Sequence, residues 1–341
     1  MRGEIMSRQS PGAGRPRLAD VAARVGLSPA SVSLVLRGAP GPSPATRARV
    51  LAAADALGYR PDRAASMLAS RRSGTVGVVL DIRSTYHAEL VEELLALAER
   101  RGRDLLLGAR SPARDERRAV ESLVDSRCEA LVLLGSDAPA DRLAELGATL
   151  PVVAVGRRLP GAGVDVVRVP DDDGAAEQTR HLLDLGHREV VHVDGGAGSI
   201  AAERRDGYRA AMRAAGLPGR VVAGGHGEAD GARAARTLLA GESLPTAVAV
   251  FNDRCAVGLL DTLARAGVDV PATVSVAGYD DSPLSRLAHV DLTTVSQDVP
   301  GTAEHVLDLL AERLDGGRDT AREVVLAPRL LPRASTAPPR S

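Results

Sequence analysis

Three sets of residues in this chain could carry chemistry. The first is Gly196-Ala-Gly198-Ser-Ile-Ala201, which follows an apolar run at Val190 to Val193 and opens a helical pattern, as a dinucleotide-binding loop would. The acid that should follow for a ribose hydroxyl is missing, because the next strand ends in Gly224-Gly225-His226. The second set is the titratable pairs. His187 and His192 lie five apart, which puts them on opposite faces of an extended segment and disfavours joint metal ligation. Asp280-Asp281 diverge in the same way, and no GxSxG elbow is present. The chain also contains no lysine, so the P-loop lysine, Schiff-base lysines and lysine general bases are excluded. No enzyme and no cofactor are expected. Cys128 and Cys255 sit in apolar segments without CxxC spacing and read as reduced, buried thiols, with neither a disulfide nor a zinc site.

The third set is arginine. Residues 1–73 hold 12 Arg against four acids (Glu4, Asp20, Asp55 and Asp62), a net of +8, whereas the rest of the 341 residues balance to −9. A basic end on an otherwise acidic chain suits a polyanion.

Helical periodicity positions these arginines. After a basic, Gly/Pro-rich arm over 1–17, Leu18, Val21, Ala22 and Val25 form one apolar face that stops at Gly26. Ser28 is an N-cap and Pro29 suits the first helical turn; Val32, Val35 and Leu36 then point inward. Two short helices joined by Gly26-Leu27-Ser28 make a helix-turn-helix. A third helix runs from the cap Ser43 to Leu57, with Val50, Leu51, Ala54 and Leu57 inward and Gly58 as its stop. The outward positions of the second helix, Pro29, Ala30, Ser33, Leu34 and Arg37, would face a DNA major groove, and Arg47 and Arg49 would hold phosphates. An Ala-rich stretch over 63–70, after Tyr59-Arg60-Pro61-Asp62, is too short to be helical alone and would fold only when something packs on it.

From Thr75 onward, apolar strands alternate with amphipathic helices. Strands are expected at Val76–Leu80, Asp104–Leu107, Ala130–Leu134 and Val152–Val155, with helices at Ala88–Arg101 and Asp115–Ser126 between them. A second series has strands at Val190–Val193, Val221–Ala223, Ala247–Phe251 and Ser275–Ala277. Its helices are a first one from Gly174 to Leu185, then Ala201–Ala215, Gly231–Leu239 and Cys255–Ala266. Two doubly wound α/β lobes follow, and ligands of such sheets sit beyond the carboxyl ends of the strands. Those ends carry Asp81 to His87 (with Tyr86), Gly156-Arg157, Asp194 to Ser199, Asn252-Asp253 and Tyr279-Asp280-Asp281.

Leu18-Ala-Asp-Val-Ala-Ala-Arg-Val-Gly-Leu-Ser28-Pro-Ala-Ser-Val-Ser33, Gly58-Tyr59-Arg60-Pro61 and Ala64-Ala65-Ser66-Met67-Leu68 together resemble the LacI/GalR family of bacterial transcriptional repressors, and the resemblance extends to about Pro338. It implies an α-helical helix-turn-helix DNA-binding domain (18–60), a hinge helix or linker (61–74), a two-lobed effector domain similar to periplasmic sugar-binding proteins (75–336) and a tail (337–341). It implies DNA contacts from Arg17, Ser28, Pro29, Ala30, Ser31, Ser33, Leu34, Arg37, Arg47, Tyr59 and Arg63, with Leu68 as a minor-groove wedge that kinks the duplex. Effector contacts map by motif onto Arg204, Asn252, Asp280 and Gln297, joined by Tyr86, His87 and Arg157 from the strand ends. A carboxylate accepting from vicinal hydroxyls, with guanidinium and amide donors beside it, suits a sugar or sugar derivative.

The implied partners are double-stranded operator DNA bearing an inverted repeat, a small sugar-like effector and a second copy of the chain. No membrane is involved, since no apolar run approaches about 18 residues and no apolar leader is present. A cytoplasmic protein, nucleoid-associated when on DNA, is expected. The sequence departs from the family pattern at Leu34, where an arginine is common, at Arg37 in place of asparagine, at Gly156 in place of aspartate and at Ser84-Thr85-Tyr86-His87. Operator and effector identity are therefore open. A dinucleotide enzyme and a secreted sugar-binding protein are the rival readings.

Overall fold

The computed structural model describes residues 16–36, 38–59 and 73–340. Arg37, Arg63, Leu68 and most of the N-terminal arm lie outside the described residues. The chain divides between Ser73 and Gly74 into two units.

The N-terminal unit contains helices α1 (Leu18–Val25), α2 (Pro29–Leu36) and α3 (Pro44–Leu57). Gly26 ends α1 with φ +64°, a left-handed conformation that only glycine adopts without strain. The chain then turns, and α1 and α2 meet with a bend of 104°. Ser28 Oγ accepts from the Ser31 N–H, and Ser43 Oγ accepts from the Thr46 N–H, so both expected caps form. Val21, Ala22, Val32, Val35, Val50, Ala53 and Ala54 make the core. Leu51, expected inward, is 47% exposed. At 100° per residue, Val50, Ala53, Ala54 and Leu57 already fill the inward arc, which leaves Leu51 on the flank.

The larger unit has two lobes. The first is a parallel sheet ordered β11-β5-β4-β3-β1-β2. Its elements are β1 (Thr75–Asp81), α4 (Thr85–Arg100), β2 (Asp104–Arg110), α5 (Glu116–Asp125), β3 (Ala130–Leu134), α6 (Ala140–Gly147), β4 (Val152–Val155) and β5 (Asp165–Arg168), with α11 (Val299–Leu314) and β11 (Glu323–Val325) added from late in the chain. β3 and β4 are wholly buried, as central parallel strands covered on both faces must be. One face packs on α4 and α11 through Leu90, Leu94, Val306 and Leu310, and the other on α5 and α6 through Leu123 and Leu143.

The second lobe is a parallel sheet ordered β7-β6-β8-β9. It comprises α7 (Asp171–Asp184), β6 (Val190–Asp194), α8 (Ser199–Ala214), β7 (Arg220–Ala223), α9 (Glu228–Leu239), β8 (Ala247–Val250), α10 (Asp253–Arg265) and β9 (Ser275–Ala277). An antiparallel pair, β10 (Thr294–Ser296) with β12 (Arg329–Leu331), completes it. Helices α9 and α10 touch backbone to backbone: a Cβ on Gly231 would lie 1.8 Å from the Cys255 carbonyl oxygen. The chain passes between the lobes at 168–171, 296–299 and 325–329. The first and third passages are bonded together, the Leu326 N–H donating to the Arg168 carbonyl at 2.8 Å.

Helices α6 and α11 and strands β5 and β10 to β12 have no counterpart in the sequence reading, and several observed ends differ from the expected ones by one to three residues. The segment after 336 is part of the second lobe: the Ala337 N–H donates to Ser275 Oγ, and its carbonyl accepts from Ser275 Oγ and from a His187 ring nitrogen. Both cysteines are buried free thiols. His187 and His192 are buried and separately bonded, His192 Nδ1 reaching the Ala249 carbonyl at 3.0 Å. Among the described residues no group of three or more His, Cys, Asp or Glu side chains could hold a metal ion, and no single helix is long and apolar enough to cross a membrane.

Candidate functional site

In the N-terminal unit, Ser28, Pro29, Ala30 and Leu34 lie exposed along α2, with Ser31 and Ser33 half-buried. Leu34 is 40% exposed and does not join the core. Arg17 is exposed at the start of α1, where its N–H donates to Asp20 Oδ2 at 2.7 Å. Arg47, read from sequence as a phosphate contact, is turned toward its own module. Its guanidinium donates to the Ala39 carbonyl at 2.9 Å and to the Val35 carbonyl at 3.4 Å, the latter shared with the Gly38 N–H, and so ties α3 to the chain that leaves α2. Tyr59 packs on the core, and its N–H donates to the Ala54 carbonyl.

In the larger unit a cavity of about 110 Å3 lies between the lobes at the strand ends. Tyr86, His87, Arg204, Asn252, Asp280 and Gln297 all line it. Arg204, on α8 and 4% exposed, organises the second-lobe wall. Its Nε donates to Asp171 Oδ1 and its Nη1 to the Phe251 carbonyl, both at 2.6 Å. Asp280 Oδ1 accepts from Nη1 and Nη2 at 3.4 Å each and from Gln297 Nε2 at 2.7 Å. The guanidinium also stacks 3.6 Å from the Tyr279 ring centroid and 4.7 Å from that of Phe251.

Burial pushes the Asp171 and Asp280 carboxyls upward, opposed by Arg204. Burial also works against the Arg204 charge, but Asp171 and Asp280 outweigh it and hold the guanidinium protonated. Two carboxylates share one cation, and of the two only Asp280 lines the cavity.

The first lobe supplies the opposite wall. Burial pushes His87 down to about 4, so its ring is neutral near pH 7, and its Nδ1 accepts from the Asp81 N–H at 3.1 Å. Arg110 Nη2 donates to the Gly135 carbonyl at 2.7 Å. Tyr86 has its hydroxyl pushed up by burial. Gly156 has φ +103°, and the nearest atom a Cβ would meet is Ile200 Cδ1 at 3.5 Å. The missing side chain leaves this wall open.

Arg157 does not line the cavity. Its two Nη atoms donate to the Ser136 and Ala138 carbonyls at 3.0 and 2.9 Å, fixing the loop after β3, because its backbone turns away beyond Gly156. Asn252 caps α10, accepting from the Cys255 N–H, while its Nδ2 donates to the His226 carbonyl.

Sequence reasoning missed Asp171, Asp137, Arg110 and His226. Asp171 is the first residue of α7, which begins three residues before the expected Gly174. Asp137 of the first lobe accepts from the N–H and Oγ of Ser199 at 3.4 Å, so the loop read as a dinucleotide site faces a carboxylate. His226 tilts against Phe251, centroids 4.8 Å apart, and burial lowers its pKa. Further contacts between the lobes are Arg158 with Asp172 at 3.2 Å and Arg286 with Glu89 at 3.6 Å. A larger hollow of about 720 Å3 lies elsewhere, between α5 and α6. It is floored by Val120, Leu143 and Leu146, is rimmed by charged side chains of α5 and α6, and shares Arg110 and Asp137 with the cleft.

Comparison with known proteins agrees with this anatomy. Residues 17–62 match the model of bacterial regulatory proteins of the lacI family, and residues 179–336 match that of a periplasmic binding protein-like domain. The HTH-type transcriptional regulator GalR of Escherichia coli is 33% identical over 327 residues, covering 94% of this chain and 95% of the relative. The lac repressor dimer bound to operator and the anti-inducer ONPF superposes over 95% of this chain and all of its own, with TM-score 0.82 and 25% identity. A CelR–cellobiose complex covers 94% of this chain and all of its own, with TM-score 0.69 and 30% identity.

Helix-turn-helix and two-lobed cleft on one chain define a ligand-responsive DNA-binding regulator. The chain belongs to the LacI family of bacterial transcriptional regulators. Its members are DNA-binding regulators and not enzymes.

Proposed function

We propose that the protein is a homodimeric regulator that binds an inverted-repeat operator and changes its operator affinity when a sugar or sugar derivative occupies the cleft. The observation that carries this reading is that the cleft is walled by both lobes, with His87 and Arg110 on one side and Arg204, Asn252, Asp280 and Gln297 on the other. A ligand there touches both lobes at once and favours one setting of them over another, which is the requirement for transmission. The Asp280 carboxylate and the donors beside it suit vicinal hydroxyls.

On the DNA side, the exposed Ser28, Pro29, Ala30 and Leu34 and the half-buried Ser31 and Ser33, with Arg37, read the half-site. Leu34 in place of an arginine favours apolar contact with a thymine methyl over a bidentate contact to guanine. Arg17 and Arg63 hold backbone phosphates, and Leu68 is the minor-groove wedge. Repression of carbohydrate uptake or catabolism genes, in the cytoplasm and on the nucleoid, is the role this reading assigns.

The test is selection of bound sequences from a random duplex library by the full-length protein at fixed salt, with and without candidate sugars. An enriched inverted repeat whose affinity shifts with one sugar class supports the reading. Random output under all conditions refutes it.

A further inference from the structure

A cavity of about 680 Å3, which the cleft reading does not use, lies beside the β5–β11 pair in the first lobe. Its lining brings together the guanidinium groups of Arg158, Arg168 and Arg322 with a single carboxylate, that of Glu323, next to the Pro160–Gly163 turn. Within the lining itself arginine outnumbers carboxylate three to one. Arg168, the last residue of β5, is the built-in part of the site, with a side chain only 9% exposed. Its Nε donates to Glu323 Oε1 at 2.5 Å, whereas its Nη1 is buried without a hydrogen-bond partner among the described residues. A buried charged donor lacking an acceptor is a rare and costly arrangement in a folded protein. The other two arginines are about half exposed. Each is tied to a carboxylate outside the lining through one terminal nitrogen: Arg158 Nη2 to Asp172 and Arg322 Nη1 to Glu312, at 3.2 and 2.8 Å. Each keeps further N–H groups of its planar fork for a ligand.

We propose that this cavity is a second ligand site, independent of the sugar cleft, that binds a phosphate oxyanion, either inorganic phosphate or a phosphate monoester. Three guanidinium groups around one carboxylate match a dianion better than a carboxylic acid or a neutral polyol. The position matters for regulation. Arg168 ends one passage between the lobes, and its carbonyl is bonded to Leu326 in another, so an anion held there restrains two of the connections along which the lobes move.

The experiment is calorimetric titration of the full-length protein with inorganic phosphate, against chloride at matched ionic strength. We expect saturable binding at one site per chain. Arg158→Ala and Arg322→Ala should each weaken it about tenfold, as loss of one charge-assisted contact does. Arg168→Met should abolish it, but Arg168 is buried, so the two exposed arginines decide the matter even where that variant fails to fold. Heats indistinguishable from those of chloride would overturn the proposal. So would saturable binding that survives in the Arg158→Ala/Arg322→Ala double variant, since the anion would then sit on the helix-turn-helix unit or in the cleft. Glucose 6-phosphate as a second titrant separates the sources: tighter binding than phosphate assigns a sugar phosphate, and equal binding assigns the free anion.

Discussion

Replacing Arg204 by methionine keeps most of the aliphatic stem and removes the guanidinium from between Asp171 and Asp280. Two close hydrogen bonds at 2.6 Å disappear, with the contacts to Asp280 and the stacking on Tyr279. The larger effect is on what remains: Asp171, 1% exposed, becomes a buried carboxylate with no cation. Removing one partner of a buried ion pair costs about 3–5 kcal/mol, chiefly through the charge left behind. For a unit of this size that corresponds to roughly 6–20 °C in the melting midpoint. The assay is thermal and urea unfolding of the larger unit followed by circular dichroism, since the chain has no tryptophan to report by fluorescence. Adding Asp171→Asn to Arg204→Met should recover about half of the loss, because the orphaned charge is gone. Lowering the pH toward 5 should narrow the gap between Arg204→Met and the natural protein, since both carboxyls already take up protons more readily than usual. Loss of sugar response at the operator should accompany the change, with operator affinity in the absence of sugar retained. A stability loss under about 1 kcal/mol, or no recovery in the double variant, would refute the account of this network as a buried, charge-balanced wall.

Three further expectations follow from particular contacts. Arg47→Ala should destabilise the helix-turn-helix unit by about 1–3 kcal/mol while leaving the salt dependence of DNA binding unchanged; a salt slope lowered by about one would return Arg47 to the phosphate-contacting set. Glu89 is pushed up to about 7 by burial, with Asp281, Asp280 and Glu92 adding to the effect and Arg286 opposing it. The folded state thus keeps a proton that the unfolded chain releases above its ordinary value of 4.5, and this contribution to stability is lost as the pH rises through about 7. Glu89→Gln should match the natural protein near pH 4 and exceed it above pH 7 in melting temperature, and parallel curves would remove Glu89 from the pH response. Leu68→Ala should weaken operator binding, measured by anisotropy of labelled duplex, well beyond any change in melting temperature; equal affinity would remove the wedge.

Much of the site was legible because its residues lie where local rules place them. Tyr86, His87, Asn252 and Asp280 follow strand ends, and Arg204 and Gln297 fall in motifs that the family resemblance carries. Ser28, Gly26, Ser43 and Gly58 occupy their expected capping positions because a cap is decided by three or four neighbouring residues. Arg157 and Leu51 do not point where they were expected to, and Arg47 bonds its own module, for one common reason. Residue type and spacing give the direction in which a side chain leaves its element, but not which carbonyl or helix stands in its way.

The sequence alone determined the polarity of the molecule, a basic helical end on an acidic α/β body, and the alternating elements that build two lobes, since charge balance and hydrophobic period are properties of contiguous residues. Tertiary structure decided that β11 and α11, late in the chain, complete the first lobe, that Asp171 and not Asp280 makes the close bond to Arg204, and that Asp137 faces the glycine loop. Those pairings join residues 33 to 157 positions apart: Asp171 to Arg204 is 33, Asp137 to Ser199 is 62, and Asp165 to the Arg322 N–H is 157. No local pattern encodes contacts of that span; they arise only when the chain, passing three times between the lobes, has closed on itself.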